Sequence, residues 1–586
     1  MTASVPAVAV QPLTGALAAA GRAVRRGGLL WHPLTAICAM QAVLSLTLVW
    51  SNTAFGDEGS YLWVGHLVIS HWLHGGPLPH YARYLSGSPV VYPPIGALAD
   101  SVGGLAGARI LSLIFMLGAT ILLYLTAARL LSRTQALFAA GIWAFSEPAI
   151  RLAFATYDPL SVFLTALAAW LAVQAGYRGQ GADRQGERVA RVPVRRIALV
   201  AAAGTALARV PVRRIALIAA AGAALAMANI TAYSGIVIDP VVIAFAFLVW
   251  LPIMGARRAG YWAGLLAGAC AAWFALLMTA TGSWVGLTAS IIERRAADRR
   301  SIPFVVGDIW KYSALLIVLA VIAAVIAAIT ENRQRAALLV MLGSTIFVIP
   351  LAQLHYQTAF SIDKHLAYGI WFAAMAIGYG GGKLIEWVAP ARTRLAMLCC
   401  AAAFLYPAVN SWQSAWQVDH SWQDARSFIA SLQPVIARSH GLIYASRQVH
   451  IAQYYTAEGH NWERWAGPYS MRLDPAALPR AAWASYYAAR LRAEKFGVVV
   501  LVYRTTLSSV PLPEDMLLSP NKPHFSQALL GLVGVNSGAP GLPELTQVLE
   551  RDPAYRLVAI GPYDSGVSYI GYNYSFYAIW QKVGPG

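Results

Sequence analysis

Residues 51–62 read SNTAFGDEGSYL, and the pair Asp57-Glu58 follows the first hydrophobic segment, Ala36–Trp50, by only a few residues. Two adjacent carboxylates at a membrane face are costly neighbours for lipid, so the pair marks a functional site unless it is the solvated start of a loop. Taken alone it fits both readings. The membrane itself follows from composition. Of 586 residues 58% are hydrophobic and 12% charged, and mean hydropathy is +0.54. Apolar runs of roughly 20 residues recur, each long enough to cross a bilayer. The expected fold is a polytopic α-helical membrane protein.

Spans are predicted near residues 33–51, 103–126, 134–148, 158–176, 212–232, 237–254, 260–281, 312–330, 336–352, 366–386 and 395–411. Arg22, Arg25 and Arg26 put the arm 1–32 in the cytoplasm by the positive-inside rule. No small-residue cleavage site follows the apolar run, so no removed signal peptide is read. The inner loops then carry Arg129 and Arg133, Arg178 to Arg196, Arg257 and Arg258, Arg333 and Arg335, and Lys383, Arg392 and Arg394. Eleven spans leave the tail 412–586 outside. The formal charge is +18, but residues 411–586 hold 14 Lys and Arg against 12 Asp and Glu, so the excess belongs to the membrane part. It reads as topology and phosphate contact, with little to support nucleic acid as a partner. Arg outnumbers Lys 38 to 6 amid abundant Ala and Gly, which points to a GC-rich bacterial genome and so to the cytoplasmic (inner) membrane. Cys38, Cys270, Cys399 and Cys400 lie in apolar segments without metal-type spacing, as small packing residues do.

Residues 190–207 recur at 208–225 with two substitutions. Only the second copy, extended through Met227–Tyr233, is long enough to cross; the first reads as a cytoplasmic or interfacial basic segment, a duplication tolerated in a loop or an anionic-lipid anchor. Past Tyr406, the segments Trp412–Leu432, Gly441–Ser446, His450–Thr456, Phe496–Arg504, Phe525–Val535, Leu545–Arg551 and Tyr569–Val583 read as alternating helices and short strands of an α/β domain. No nucleotide, hydrolase or metalloprotease motif occurs there. Its aromatic residues fit a sugar-binding face or a surface resting on headgroups equally well.

The external loop 51–102 is the longest polar-mixed stretch between spans. Tyr61–Leu73 sets Leu62, Val64, Leu67, Val68 and Trp72 at helical spacing, as in an amphipathic helix lying in the interface. His80, Arg83 and the stiff run VYPPIG, Val91–Gly96, follow. Asp158, in TYDPLS, opens the fourth span on the same outer side, where it can meet Asp57 or cap its own helix.

The order of first span, D-E pair, loop helix, Tyr92-Pro93-Pro94, outer-face Asp158 and an external α/β domain resembles the GT-C glycosyltransferases that use lipid-phosphate sugars. The nearest branch is the bacterial relatives of protein O-mannosyltransferases and aminoarabinose transferases. The resemblance covers residues 33–400 and departs at Gly59-Ser60-Tyr61, where that family has a basic or aromatic residue. It implies that Asp57 acts as base or orients the acceptor, with Glu58 and Asp158 beside it. It further implies a polyprenyl-phosphate-linked sugar as donor, an extracytoplasmic glycan, lipid or protein as acceptor, and basic phosphate contacts near the start of span ten.

The chemistry asks for the same groups. An acceptor hydroxyl must lose its proton near C1 of the sugar, and cations must meet the charge growing on the departing phosphate. Basic candidates are Arg83, the Arg294, Arg295, Arg299 and Arg300 cluster, and His355, Lys364 and His365. Arg83, Lys364 and His365 are assigned to the phosphate, against solvated or snorkelling alternatives. Tyr61, Tyr92 and His355 are expected to line the substrate. A divalent ion (Mg, Mn or Ca) on Asp57, Asp158 and His355 stays an open expectation. Two further classes compete: a transporter or flippase for a lipid-linked or anionic solute, which should show paired broken-helix repeats, and an envelope scaffold in which Asp57 is dispensable.

Overall fold

The apolar runs fold as helices because a bilayer offers no partner to an unpaired backbone amide, and a helix satisfies each one internally. In the computed structural model the described residues are 33–79, 85–189, 196–290, 299–359, 361–388, 393–419, 422, 424–446, 449–466, 471, 478–505, 541–562 and 574–583. The predicted arm 1–32, His80, Arg83, Arg294, Arg295 and the segment Phe525–Val535 lie outside them.

The membrane part runs α1 (Pro33–Val49), α2 (Gly56–His74), α3 (Tyr92–Leu130), α4 (Arg133–Ala144), α5 (Glu147–Arg151), α6 (Tyr157–Val189), α7 (Arg196–Thr231), α8 (Asp239–Met254), α9 (Ala256–Ala280), α10 (Ile302–Thr330), α11 (Arg333–Ser344), α12 (Val348–Tyr356), α13 (Ile362–Val388) and α14 (Thr393–Asp419). Among the described residues, seven stretches are long and apolar enough to cross a membrane: the whole of α3, Tyr157–Tyr177, Val212–Thr231, Tyr233–Met254, α9, α10 and Arg333–Tyr356. Of the eleven predicted spans, the first forms a shorter apolar helix and the third divides into α4 and α5. The tenth carries Asp363, Lys364, Lys383 and Glu386 within α13. The second copy of the tandem repeat lies at the end of α7, where Val212–Thr231 is, as expected, long and apolar enough to cross.

Helix α3 begins at Tyr92 with Pro93 and Pro94 in its first turn, where the missing amide hydrogens are not needed. It bends at Gly104, whose φ of 60° is a conformation a side chain would resist. Small residues let the bundle close. A Cβ on Gly378 of α13 would come within 2.6 Å of the Ala139 nitrogen and the Gln135 carbonyl of α4, so the two backbones touch there.

Helix α2 corrects one expectation. Its predicted apolar face does not lie on lipid: Leu62, Val64, Leu67 and Val68 are all buried, and only Trp72 of that set is exposed. The face packs against α3 and against a helix of the C-terminal domain. That domain contains α15 (Arg426–Ala437), β1 (Leu442–Ala445), α16 (Val449–Tyr455), β2 (Trp465–Ala466), α17 (Trp483–Ala493), β3 (Phe496–Thr505), α18 (Leu542–Arg551), β4 (Tyr555–Pro562) and β5 (Tyr574–Lys582). The strands form one mixed sheet in the order β2-β1-β3-β5-β4, parallel from β2 to β3 and antiparallel beyond, with a hydrophobic core on each face. Trp412 belongs to α14, so the domain begins later than its hydropathy indicated. Strand β4 had no counterpart in the sequence reading.

Candidate active site

The short link between α1 and α2 is built around Glu58. This carboxylate is fully buried and accepts four hydrogen bonds: from Arg109 Nε (2.9 Å) and Nη2 (2.7 Å), from the Ala155 amide (2.9 Å) and from the Phe55 amide (2.9 Å). Arg109 comes from α3, where it is 1% exposed. Its remaining hydrogens go to the carbonyls of Leu48, Val49, Asn52 and Thr53, and its guanidinium lies about 6 Å from the rings of Phe154 and Trp422. A buried pair satisfied this fully is rigid, and it joins the end of α1, the start of α2, the middle of α3 and the segment leading into α6. Glu58 therefore holds the loop, and Asp57 is the member of the pair that faces outward.

Asp57 sits in the first turn of α2, where the helix dipole favours a carboxylate. Its side chain is 38% exposed and its Oδ2 is 3.3 Å from Lys364 Nζ. The same ammonium is 3.3 Å from Asp158 Oδ2, and His365 Nε2 is 3.7 Å from Asp158 Oδ1. Asp158 lies in the first turn of α6, one residue inside the helix that begins at Tyr157, where the helix dipole also favours a carboxylate. Next to Lys364, Asp363 pairs with Arg151 Nη2 at 2.6 Å, and Arg151 Nη1 also reaches Glu147 Oε1 at 3.3 Å. Four residues singled out in the sequence thus converge: Asp57, Asp158, Lys364 and His365.

Others are placed differently. Tyr61 packs on Tyr157 with ring centroids 4.1 Å apart, and Tyr92 meets the same ring edge-on at 5.9 Å while bonding Ser112 Oγ. Both are buried, so they brace the start of α6 from behind. His355 is exposed at the end of α12, where its ring lies 5.0 Å from that of Tyr356. Among the described residues no three metal-ligating side chains converge. The Lys364 ammonium itself supplies the positive charge between Asp57 and Asp158, so the residues present do not fit the metal expectation.

The C-terminal domain closes over this face. Tyr455 Oη accepts from the Ala54 amide (2.7 Å), Trp422 Nε1 donates to the Thr53 carbonyl (2.7 Å), Trp63 Nε1 donates to Gly459 (2.7 Å), and Tyr454 Oη donates to Asp100 Oδ1 (2.6 Å), whose other oxygen meets His66. His450 of α16 lies over Trp63 (ring centroids 5.7 Å apart) and faces Gln453 Oε1 at 3.1 Å, within reach of the Asp57 charge. Its edge is open to solvent, yet the protein around the ring pushes its pKa below the usual 6.5. Burial also pushes the Tyr455 hydroxyl up to about 12, keeping it a neutral bridge. Arg109 and His450 escaped the sequence reading. Arg109 had a signal, a lone charge inside the apolar run of span two; His450 had none.

Residues 95–183 match the family profile described as dolichyl-phosphate-mannose-protein mannosyltransferase. That stretch, and not the whole chain, is similar to this family of glycosyltransferases. The matched stretch runs from α3 into α6 and contains Arg109 and Asp158, while Asp57 precedes it. No curated protein matched the chain in sequence. Among solved structures it is similar to the oligosaccharyltransferase of Archaeoglobus fulgidus tethered with an acceptor peptide (13% identity, TM-score 0.49, covering 80% of this chain and 69% of that one). It is also similar to AglB of Archaeoglobus fulgidus in complex with an inhibitory peptide and a dolichol-phosphate (11%, TM-score 0.49, 94% and 88%). A third is ArnT from Cupriavidus metallidurans bound to undecaprenyl phosphate (12%, TM-score 0.45, 80% and 92%).

Proposed function

We propose that this multi-pass membrane glycosyltransferase moves a sugar from a polyprenyl-phosphate donor to a hydroxyl acceptor on the extracytoplasmic side, with inversion at C1. The observation that carries the reading is Lys364, which brings the partly exposed carboxylate of Asp57 and the buried one of Asp158 to a single point. An ammonium has three hydrogens. Two are directed at these carboxylates, and the third can meet a phosphate oxygen. The acceptor hydroxyl gives its proton to Asp57 as its oxygen bonds C1. The bond from C1 to the phosphate oxygen breaks, and the electron pair leaves with the polyprenyl phosphate, whose growing charge falls beside Lys364 and His365. Asp158 stays paired and keeps both basic side chains in place. The acceptor is bounded by α2 on one side and by His450 on the other.

The test uses undecaprenyl-phosphate mannose as the donor probe, chosen from the family match, and reads the release of undecaprenyl phosphate by purified protein. Asp57→Asn should abolish release with melting unchanged, because the amide keeps the volume and loses the base. Release within a few-fold of wild type removes Asp57 from this role.

A further inference from the structure

Asp239 opens α8 within Tyr233–Met254, a stretch apolar enough to cross a membrane. A carboxylate in such a segment needs a cation, or it gives up its charge. An aspartate at a helix start ordinarily turns to the free amides of its own first turn. Asp239 accepts from none of them and reaches sideways, between α7 and α9. Its Oδ2 accepts from Asn229 Nδ2 of α7 (2.7 Å) and from Cys270 Sγ of α9 (3.7 Å), while Oδ1 is shut off from solvent and no protein group donates to it among the described residues. Asn229 is 2% exposed, and its own carbonyl oxygen is likewise buried without a donor. The helices packed against α8 are α6, α9 and α11, and of the groups that they and α7 bring to this carboxyl only the Cys270 thiol titrates. No Lys or Arg among the described residues pairs with it.

Two donors on one oxygen and none on the other is the pattern of a carboxylic acid, whose carbonyl oxygen accepts and whose hydroxyl gives a hydrogen away. A proton on Oδ1 serves both unpaired oxygens at once: Asn229 donates to Oδ2, and the acid hydroxyl donates back to the Asn229 carbonyl. A bound water would fill the same two oxygens and leave the charge unanswered. We infer that Asp239 is a proton-binding site, a carboxylic acid held neutral at pH 7 by its pairing with Asn229, and for that reason a site of modification by apolar carbodiimides. Its place gives the proton a role. The Ser88 amide donates to the Ile230 carbonyl (2.8 Å) and the Tyr233 amide to the Ser86 carbonyl (3.0 Å), so the external loop that leads into α3 is seated on the turn between Asn229 and Asp239. Ser161, one turn along α6 from Asp158, donates to the Ala228 carbonyl (2.9 Å) beside that turn. The proton closes the turn on which the loop rests.

The experiment treats purified protein in detergent with dicyclohexylcarbodiimide and maps the adduct by peptide mass spectrometry. The acid passes its proton to one carbodiimide nitrogen as its oxygen bonds the central carbon; the acyl group then migrates to nitrogen, leaving an N-acylurea that carries the whole reagent. Asp239 is partly exposed, which gives the reagent access. It should be labelled at pH 7, where an ordinary aspartate, with a pKa of about 3.9, is ionised, and labelling should fall as the pH is raised to 9. Asp239→Asn, whose amide hydrogen replaces that of the hydroxyl, should lose the label and melt within about 2 °C of wild type, whereas Asp239→Ala, which strands the Asn229 amide, should melt roughly 3–10 °C lower. Three results overturn the inference: no label on Asp239 at pH 7, Asp239→Asn melting as low as Asp239→Ala, or protection of Asp239 by sodium chloride and not by choline chloride, which would put a metal cation where the proton is assigned.

Discussion

Replacing Glu58 with Gln tests how the site is held. The carboxylate offers two oxygens to four donors, and Gln keeps one of them. In place of the other it sets an NH2 against Arg109 Nη2 and the Phe55 amide, donors facing a donor, while the guanidinium stays buried with half its partner gone. Breaking one side of a buried pair costs about 3–5 kcal/mol. At about 2–4 °C per kcal/mol for a body of this kind, melting should fall by roughly 6–20 °C. The assay is intrinsic-fluorescence melting in detergent, run beside donor turnover. Arg109→Met should fall comparably, and Glu58→Gln with Arg109→Met should fall by clearly less than the two together, since the double variant strands no charge. A loss under about 2 °C for Glu58→Gln, or strict additivity in the double variant, would refute the clamp and return Glu58 to the catalytic role first expected of it beside Asp57.

Lys364→Met should lower turnover roughly ten- to a hundredfold with a smaller effect on donor binding, because the phosphate contact is made mainly as charge develops; steady-state kinetics with undecaprenyl-phosphate mannose decide this, and unchanged turnover counts against it. His450 is held neutral, with a folded pKa below the ordinary 6.5, so folding disfavours its charged form. Its contribution should be complete above about pH 6.5 and shrink as pH falls toward the lowered value; melting of His450→Gln should lose that slope between pH 7 and 5, and an identical slope in both proteins sinks the assignment. Sidedness can be read with an impermeant thiol reagent on intact cells whose four native cysteines are serine. A cysteine at exposed Glu463 should label and one at Arg258 should not, the reverse placing the site in the cytoplasm. Gly459 is a poor choice for that probe, since a Cβ there would lie 1.7 Å from the Gln453 carbonyl.

The membrane architecture was legible because hydropathy reports burial in lipid directly, and long apolar runs became helices. The span count was not, since α13 carries four charged side chains and the third run breaks between α4 and α5. Asp57, Asp158 and Lys364 could be named from one rule, that an ionisable group near a membrane face is costly, and the geometry brings them together. The same rule applies to Arg109, which was passed over inside span two. Helix α2 misled because periodicity reports which face is apolar and is silent on what covers it; here protein does. The contacts of His450 and Tyr454 depend on the docking of a domain hundreds of residues downstream, which no local pattern contains.

The site also has a history in time. Asp57 and Lys364 are 307 residues apart, whereas Glu58 and Arg109 are separated by 51. At synthesis rates of about 5–20 residues per second, the acid waits roughly 15–60 s for its lysine, while its neighbour can be clamped within the first roughly 10 s. The loop is thus shaped early and stays inert. Chemistry begins only after the last membrane helices and the domain beyond them have been made, so a chain halted midway carries a finished clamp and no working centre.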